Sequence, residues 1–204
     1  MAAGSKIGHF SVVNVRRVVL RRNAYVGRMN YCSGPFSLLL RERAALGNRN
    51  VATRARLGVS YGPALLALGE LSKITAGHKI DCTNSVLFGP FCTLAGTGSQ
   101  IWTHGYVHTD SPPERYRVDG KVQLGSNVNI GSRSIITGGV SIFDGIMVGA
   151  GTTVSKSLSE PGLYVSAAVR RMPCAIAPSK RREMERVIDP DLMETVYRKR
   201  DARS

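Results

Sequence analysis

Apolar residues recur every six positions through the second half of the chain, at Leu124, Ile130, Ile136, Ile142, Val148 and Val154. Gly125, Gly131 and Gly149 stand directly behind three of them, and Val128, Val140 and Ile146 form a second apolar column four residues after a lead position. A six-residue period fits neither the 3.6 of an α-helix nor a hairpin array with turn signals every 8 to 12 residues. It predicts a solenoid in which each hexad is one short parallel strand and a turn. Three hexads close a triangular coil, the lead residue points inward, and stacked coils bury an apolar column that no single coil can bury alone. Glycine behind the lead residue is expected to serve a tight corner that needs positive φ.

Upstream the rhythm loosens. Ile74 and Ile80 keep the spacing, as do Phe88 and Leu94, with a two-residue slip between the pairs. Val26, Leu40, Leu46, Val51, Leu57, Leu65 and Leu71 keep an approximate rhythm. Residues 1–73 are therefore expected to be irregular or to form degenerate coils, and 74–166 to form the β-helix proper. Between residues 105 and 121 the period fails in a polar stretch that includes Pro112, Pro113, Glu114 and Gly120. A loop thrown out from a coil is the expectation there, and long loops in a compact domain usually carry function. Beyond Leu158 the pattern stops, and 167–204 is expected to hold two short helices. Ser179 would cap the first, with Met184, Val187 and Ile188 on its apolar face. Asp189 would cap the second, with Pro190 at its first position and Leu192 and Val196 on one face.

Composition changes this picture in two ways. Four cysteines (Cys32, Cys82, Cys92, Cys174) without C-x-x-C or C-x-x-H spacing give no disulfide framework and no zinc motif. The net charge of +14 is lopsided, since the first sixty residues hold eleven Lys or Arg against the single acid Glu42. Such a bias favours an anionic partner, whether cofactor phosphates, an acidic membrane surface touched peripherally, or nucleic acid. Nucleic acid is the least expected, because no binding signature is present and aromatics are 6% of the chain. No run of about 18 uncharged apolar residues suggests a membrane span, and no leader pattern is visible, so a cytoplasmic location is expected.

The run Thr103-His104-Gly105-Tyr106-Val107-His108, the loop, and then Leu124-Gly125-Ser126-Asn127-Val128-Asn129-Ile130-Gly131-Ser132 resembles the hexapeptide-repeat acyltransferases. That superfamily includes galactoside and serine O-acetyltransferases and nucleotide-sugar N-acetyltransferases, and sugar O-acetyltransferases are the nearest in pattern. The resemblance covers Ile74 to Tyr164. It implies a left-handed parallel β-helix, a homotrimer with active sites in the clefts between neighbouring prisms, and acetyl-CoA as acyl donor without a metal. Many sugar acetyltransferases carry Trp two residues before the Gly-Ser, where this chain has Asn129. That departure puts one wall of the acceptor pocket in doubt.

Acyl transfer from a thioester needs a base for the acceptor proton and donors aimed at the developing oxyanion. Of the histidines His9, His78, His104 and His108, the resemblance points to His104 as base, against the alternative of a turn histidine on the surface. His108 is a loop residue or an acceptor contact. By resemblance Ser132 supplies a backbone N–H near the thioester carbonyl, against the alternative of a plain turn serine. Gly149, Ala150, Ser155 and Lys156 are the candidate line for the CoA arm, with Arg170 and Arg171 for its phosphates, because the planar guanidinium matches phosphate. Asp81 and Asn84 are candidate acceptor contacts or turn residues. Cys82 and Cys92 are read as core residues. The function implied is acetyl transfer to a sugar or similar hydroxylated acceptor, with surface polysaccharide biosynthesis as a setting. N-acetylation of a nucleotide-linked amino sugar is the alternative. A γ-carbonic-anhydrase-like zinc enzyme and a non-catalytic scaffold are the remaining classes.

Overall fold

A computed structural model of the chain describes residues 1–108, 115–166, 170–172, 184–187 and 196–199. The chain divides into two compact units, Met1–Met172 and Pro173–Ser204. In the first, short parallel strands stack into a nine-stranded and an eleven-stranded sheet. The pairing register explains the period. Leu124 pairs with Ile142, Ile130 with Val148, and Ile136 with Val154, so partners lie three hexads apart and each circuit of chain rests on the one before it. Successive lead residues occupy three different faces of a β-helix, and all six are buried. The second column, Val128, Val140 and Ile146, is buried as well.

Paired strands begin at Lys6–Ile7, which stacks on Tyr25–Val26 and then Ala45–Asn48. Val12–Leu20 and Tyr31–Leu40 each run along two faces in succession, with a register shift between Val15 and Arg17. The loose apolar rhythm of this region misplaces several inward positions. Ala52, Leu66 and Leu68 are the buried ones, whereas Val51 and Leu65 are half-buried and Leu57 is 63% exposed. Leu57 lies in a segment without regular strand pairing, where a six-residue count has no meaning.

The hexad glycines do a different job from the one expected. Gly125, Gly131 and Gly149 do not have positive φ; that conformation falls two residues further on, at Asn127, Arg133 and Gly151. Gly131 is needed for space, because an added Cβ would stand 2.5 Å from the Ala150 amide nitrogen of the next circuit. Glycine here lets one corner rest on another.

The segment read as a loop is a β-hairpin, His104–His108 paired antiparallel with Arg115–Asp119. Tyr106, Val107, Tyr116 and Val118, aromatic or β-branched, suit a two-stranded ribbon. The expected C-terminal helices are not found among the described residues. Met184–Val187 and Val196–Lys199 instead pair antiparallel within the second unit, so tertiary pairing overrides the helical spacing of Met184, Val187 and Val196. The proposed caps Ser179 and Asp189, with Ile188, Pro190 and Leu192, lie outside the described residues. Cys32, Cys82 and Cys92 are buried free thiols, and Cys174 lies outside the described residues. Among the described residues no helix is long and apolar enough to cross a membrane.

Candidate active site

The three longest departures from the regular hexad spacing between Ala52 and Leu124 fall at one corner, where the face holding Val51–Thr53, Lys79–Asp81 and Gln100–Ile101 turns into the face holding Leu65–Leu68, Val86–Phe88 and Val122–Leu124; a single extra residue falls at another corner, between Leu94 and Ile101. The long inserted segments are 54–64, 82–85 and 102–121. Stacked on successive circuits, they surround a cavity of about 510 Å³ lined by Thr53, Arg54, Lys79, Asp81, Trp102 and His104, among others.

His104 opens the hairpin at this corner. Its Nδ1 lies 2.8 Å from Asp81 Oδ2, and the side chains are 27% and 9% exposed respectively. Asp81 ends its strand and is held from all sides. Oδ2 also accepts hydrogen bonds from the Thr103 backbone N–H at 2.8 Å and its hydroxyl at 2.6 Å, while Oδ1 accepts from the Thr83 N–H at 3.1 Å and hydroxyl at 2.7 Å. Burial works to raise the Asp81 carboxyl pKa, but the bonds from Thr103, Thr83 and His104 outweigh it and hold it below the usual carboxylate value. An ionised Asp81 makes Nδ1 of His104 a donor. Nε2 is thereby left as the acceptor, the tautomer that a general base requires.

Asn84 sits at the same corner. Its N–H donates to Thr103 Oγ1 at 2.9 Å, and its side-chain oxygen accepts the Ser85 N–H at 2.7 Å. Asn84 and Asp81 thus shape the turn around His104, and the Asp81 carboxylate is committed to this network. His78 is buried elsewhere. It accepts the Ser99 N–H at Nδ1 and lies 3.0 Å from Thr75 Oγ1, and burial keeps its pKa below the usual imidazole value. Cys82 is buried in the core, and burial raises its thiol above the ordinary cysteine range. Among the described residues no three His, Cys, Asp or Glu side chains gather as a metal site.

The other candidate residues lie apart from His104 within one chain. Ser132 precedes Ile135–Ile136, and His104 follows Gln100–Ile101, the strand that pairs with it. They therefore occupy opposite edges of one face, on the order of 15–20 Å apart at about 3.3 Å per residue. Gly149 and Ala150 stack on Gly131 at the Ser132 edge. Ser155 and Lys156 follow Thr153–Val154 and are exposed at the His104 edge, further along the β-helix. Arg170 and Arg171 form a strand antiparallel to Gly162–Val165, but their side chains, like that of His108, lie outside the described residues.

Sequence reading missed the segment 54–64. Arg54 is 95% buried by its 5% exposure and ties this segment down, donating from Nη2 to the carbonyls of Tyr61 at 2.6 Å and Gly62 at 2.9 Å and from Nη1 to Pro35 O at 2.7 Å. Burial lowers its pKa from the usual guanidinium value, against the opposing pull of Cys82, Asp119 and Asp81. The hairpin grips the same segment. Arg117 pairs with Asp119 at 2.7 Å and donates to the Val59 carbonyl. Tyr61 and Tyr106 are exposed on these two segments, and Trp102 stands in T-shaped contact with His104. A lone buried arginine amid alternating polar residues carries no periodic signal, so this wall had no mark in the sequence beyond the irregular spacing.

Residues 121–156 match the family model described as the hexapeptide repeat of succinyl-transferase. No curated protein sequence matches the chain. Among solved structures, the polysialic acid O-acetyltransferase OatWY superposes with a TM-score of 0.61 at 18% identity, over 95% of each chain. The N-acyltransferase AntD from Bacillus cereus, in complex with dTDP and coenzyme A, gives 0.48 at 16% identity over 82% of this chain and 83% of that one. A hexapeptide-repeat containing acetyltransferase from Vibrio cholerae gives 0.48 at 16% identity over 62% and 70%. Residues 121–156 thus carry a match to the hexapeptide repeat, and the chain shares its fold over nearly its whole length with OatWY.

Proposed function

We propose that the protein transfers an acetyl group from acetyl-CoA to a hydroxyl of a sugar acceptor, with His104 as general base, on a left-handed β-helix that assembles as a trimer. The observation that carries this reading is the His104–Asp81 pair, 2.8 Å long, beside the cavity at the corner that holds the long inserted segments. The acceptor hydroxyl gives its proton to His104 Nε2 as its oxygen attacks the thioester carbonyl carbon. Asp81 stabilises the imidazolium through Nδ1–H, as the buried aspartate does in Ser-His-Asp sites. When the C–S bond breaks, the imidazolium returns the proton to the departing CoA thiolate, so no covalent enzyme intermediate is needed. Trp102, which lines the cavity, offers a ring face to the acceptor.

For the donor, Ser132 would supply a backbone N–H near the thioester carbonyl at the opposite edge of the face, with Gly149 and Ala150 stacked beside it along the CoA arm, the Gly149 N–H itself being bonded to the Tyr164 carbonyl. A neighbouring subunit would bring that edge against His104. Ser155, Lys156, Arg170 and Arg171 complete the proposed CoA line.

The test is CoA release from acetyl-CoA with panels of sugar hydroxyl acceptors and nucleotide-linked amino sugars. His104→Ala should lower kcat by about 10² to 10⁴, the range for loss of a positioned base, with CoA affinity near that of the unaltered protein. Retained turnover in this variant would overturn the assignment, and activity confined to the amines would move the reading to N-acylation.

A further inference from the structure

The arginines between Arg16 and Arg49, on the first three circuits, have no part in the site described above. They collect at one end of the β-helix, and the folding pattern sets them on all three of its corners. At the first corner, Arg28 and Arg49 stand exposed on successive circuits, linked by the Arg49 N–H bonding to the Arg28 carbonyl. Arg16 and Arg17 stand at the second, where Val12–Leu20 bends from one face to the next. Arg21, Arg22, Arg41 and Arg43 occupy the third, again on stacked turns, with the Arg43 N–H bonding to the Arg22 carbonyl. The acid within this collar, Glu42, is already paired with Arg22 at 2.6 Å.

Apolar side chains project from the same end. Phe10 is 84% exposed and Met29 56%, and they follow one another on the corner that carries Arg28 and Arg49, where the Met29 N–H bonds to the His9 carbonyl. Val12 is half exposed on the adjoining face. Phe10 and Met29 both hold positive φ, at 59° and 56°. Large side chains rarely occupy that conformation, and Asn or Gly would fit it better. The same conformation recurs at Leu71 and Phe91 on later corners; what sets Phe10 and Met29 apart is their exposure beside the arginines, the Phe10 ring lying 6.4 Å from that of His9.

We propose that this end of the β-helix docks on an anionic lipid surface, with the arginine collar attracting the headgroups and Phe10 and Met29 entering the interfacial layer. Cations set beside projecting apolar groups match a planar, negatively charged, partly apolar surface. A soluble polyanion would use the arginines but gain nothing from Phe10 and Met29. His104 lies in the fifth circuit counted from Lys6–Ile7. At about 4.8 Å per circuit, docking by this end holds the cleft on the order of 20 Å above the lipid.

The experiment is co-sedimentation of the full chain with vesicles of phosphatidylcholine alone or with about one-third phosphatidylglycerol. Binding to the anionic vesicles is expected, weakening as salt rises. Arg28→Gln with Arg49→Asn should weaken it roughly twenty- to thirty-fold, at about five-fold per arginine near the surface. Phe10→Asn with Met29→Asn, which suits the local backbone, should weaken it while thermal stability is kept or raised. Absence of binding to anionic vesicles, or equal binding to neutral ones, overturns the proposal. So does an unchanged affinity of the Phe10/Met29 variant coupled with equal binding of a soluble anionic polysaccharide, the outcome expected of a polyanion site. None of these readouts depends on acetyl transfer.

Discussion

Asp81 makes the largest set of contacts to His104 and its turn, yet it does not touch the acceptor in the proposed chemistry; it is a positioning residue. Asp81→Asn keeps the shape but can no longer serve as an ionised acceptor for Nδ1–H and for two threonine hydroxyls together. Turnover is expected to drop by about 10² to 10⁴ with the KM for acetyl-CoA little changed, the upper figure being the loss seen for a serine-protease aspartate. Steady-state kinetics against both substrates checks it, and unaltered turnover would show that the pair is not used. The same carboxylate couples folding to pH. Its folded pKa lies below the unfolded value of about 3.9. Its stabilisation is thus complete above that value and is lost as pH falls towards the lower folded one. Thermal melts should show this acid-side loss reduced in Asp81→Asn.

At the scale of elements, the site is assembled from interruptions. The regular hexads build the column, and the inserted segments 54–64, 82–85 and 102–121 stack on one corner because each circuit must rejoin its neighbour in register. Arg117 links two of them, holding Asp119 within its own hairpin and the Val59 carbonyl across the cleft. Arg117→Ala frees the wall formed by 54–64 without opening the core. It is expected to raise the acceptor KM several-fold while shifting the melting temperature by no more than about 4 °C, as befits a surface change. Arg117→Lys should restore little, since a point charge does not reproduce the fork that reaches both partners. An unchanged acceptor KM would mean that the wall does not contact the acceptor. The slip between Ile80 and Phe88 and the failure after residue 105 were both visible in the sequence as lost period. The third interruption hid in a region whose approximate rhythm of Val51, Leu57 and Leu65 counted through it, because apolar residues there are frequent on both faces of the strands.

For the whole molecule, the separation of His104 from Ser132 and Gly149-Ala150 has a direct consequence. If all of them serve one reaction, two copies of the chain must supply them. Sedimentation equilibrium is then expected to give three times 22.0 kDa, and a fully active monomer would break the shared-cleft reading. What the sequence by itself determined is the repeating part: six buried lead residues at constant spacing can be satisfied together by a three-sided parallel stack, since burial is periodic and local spacing encodes it. It also singled out His104 as a candidate, through the resemblance of the residues around it, a choice that the His104→Ala kinetics test. Tertiary structure decided the rest. Asp81 and His104 are 23 residues apart and meet because one circuit stacks on another. Arg54 gains its role from carbonyls of a segment it folds back upon, and the hexad glycines are fixed by the approach of the next circuit and not by φ. Even the tail, whose spacing predicts helices, forms strands where it is described, because pairing of Met184–Val187 with Val196–Lys199 outweighs a few tenths of a kcal/mol per residue of intrinsic preference.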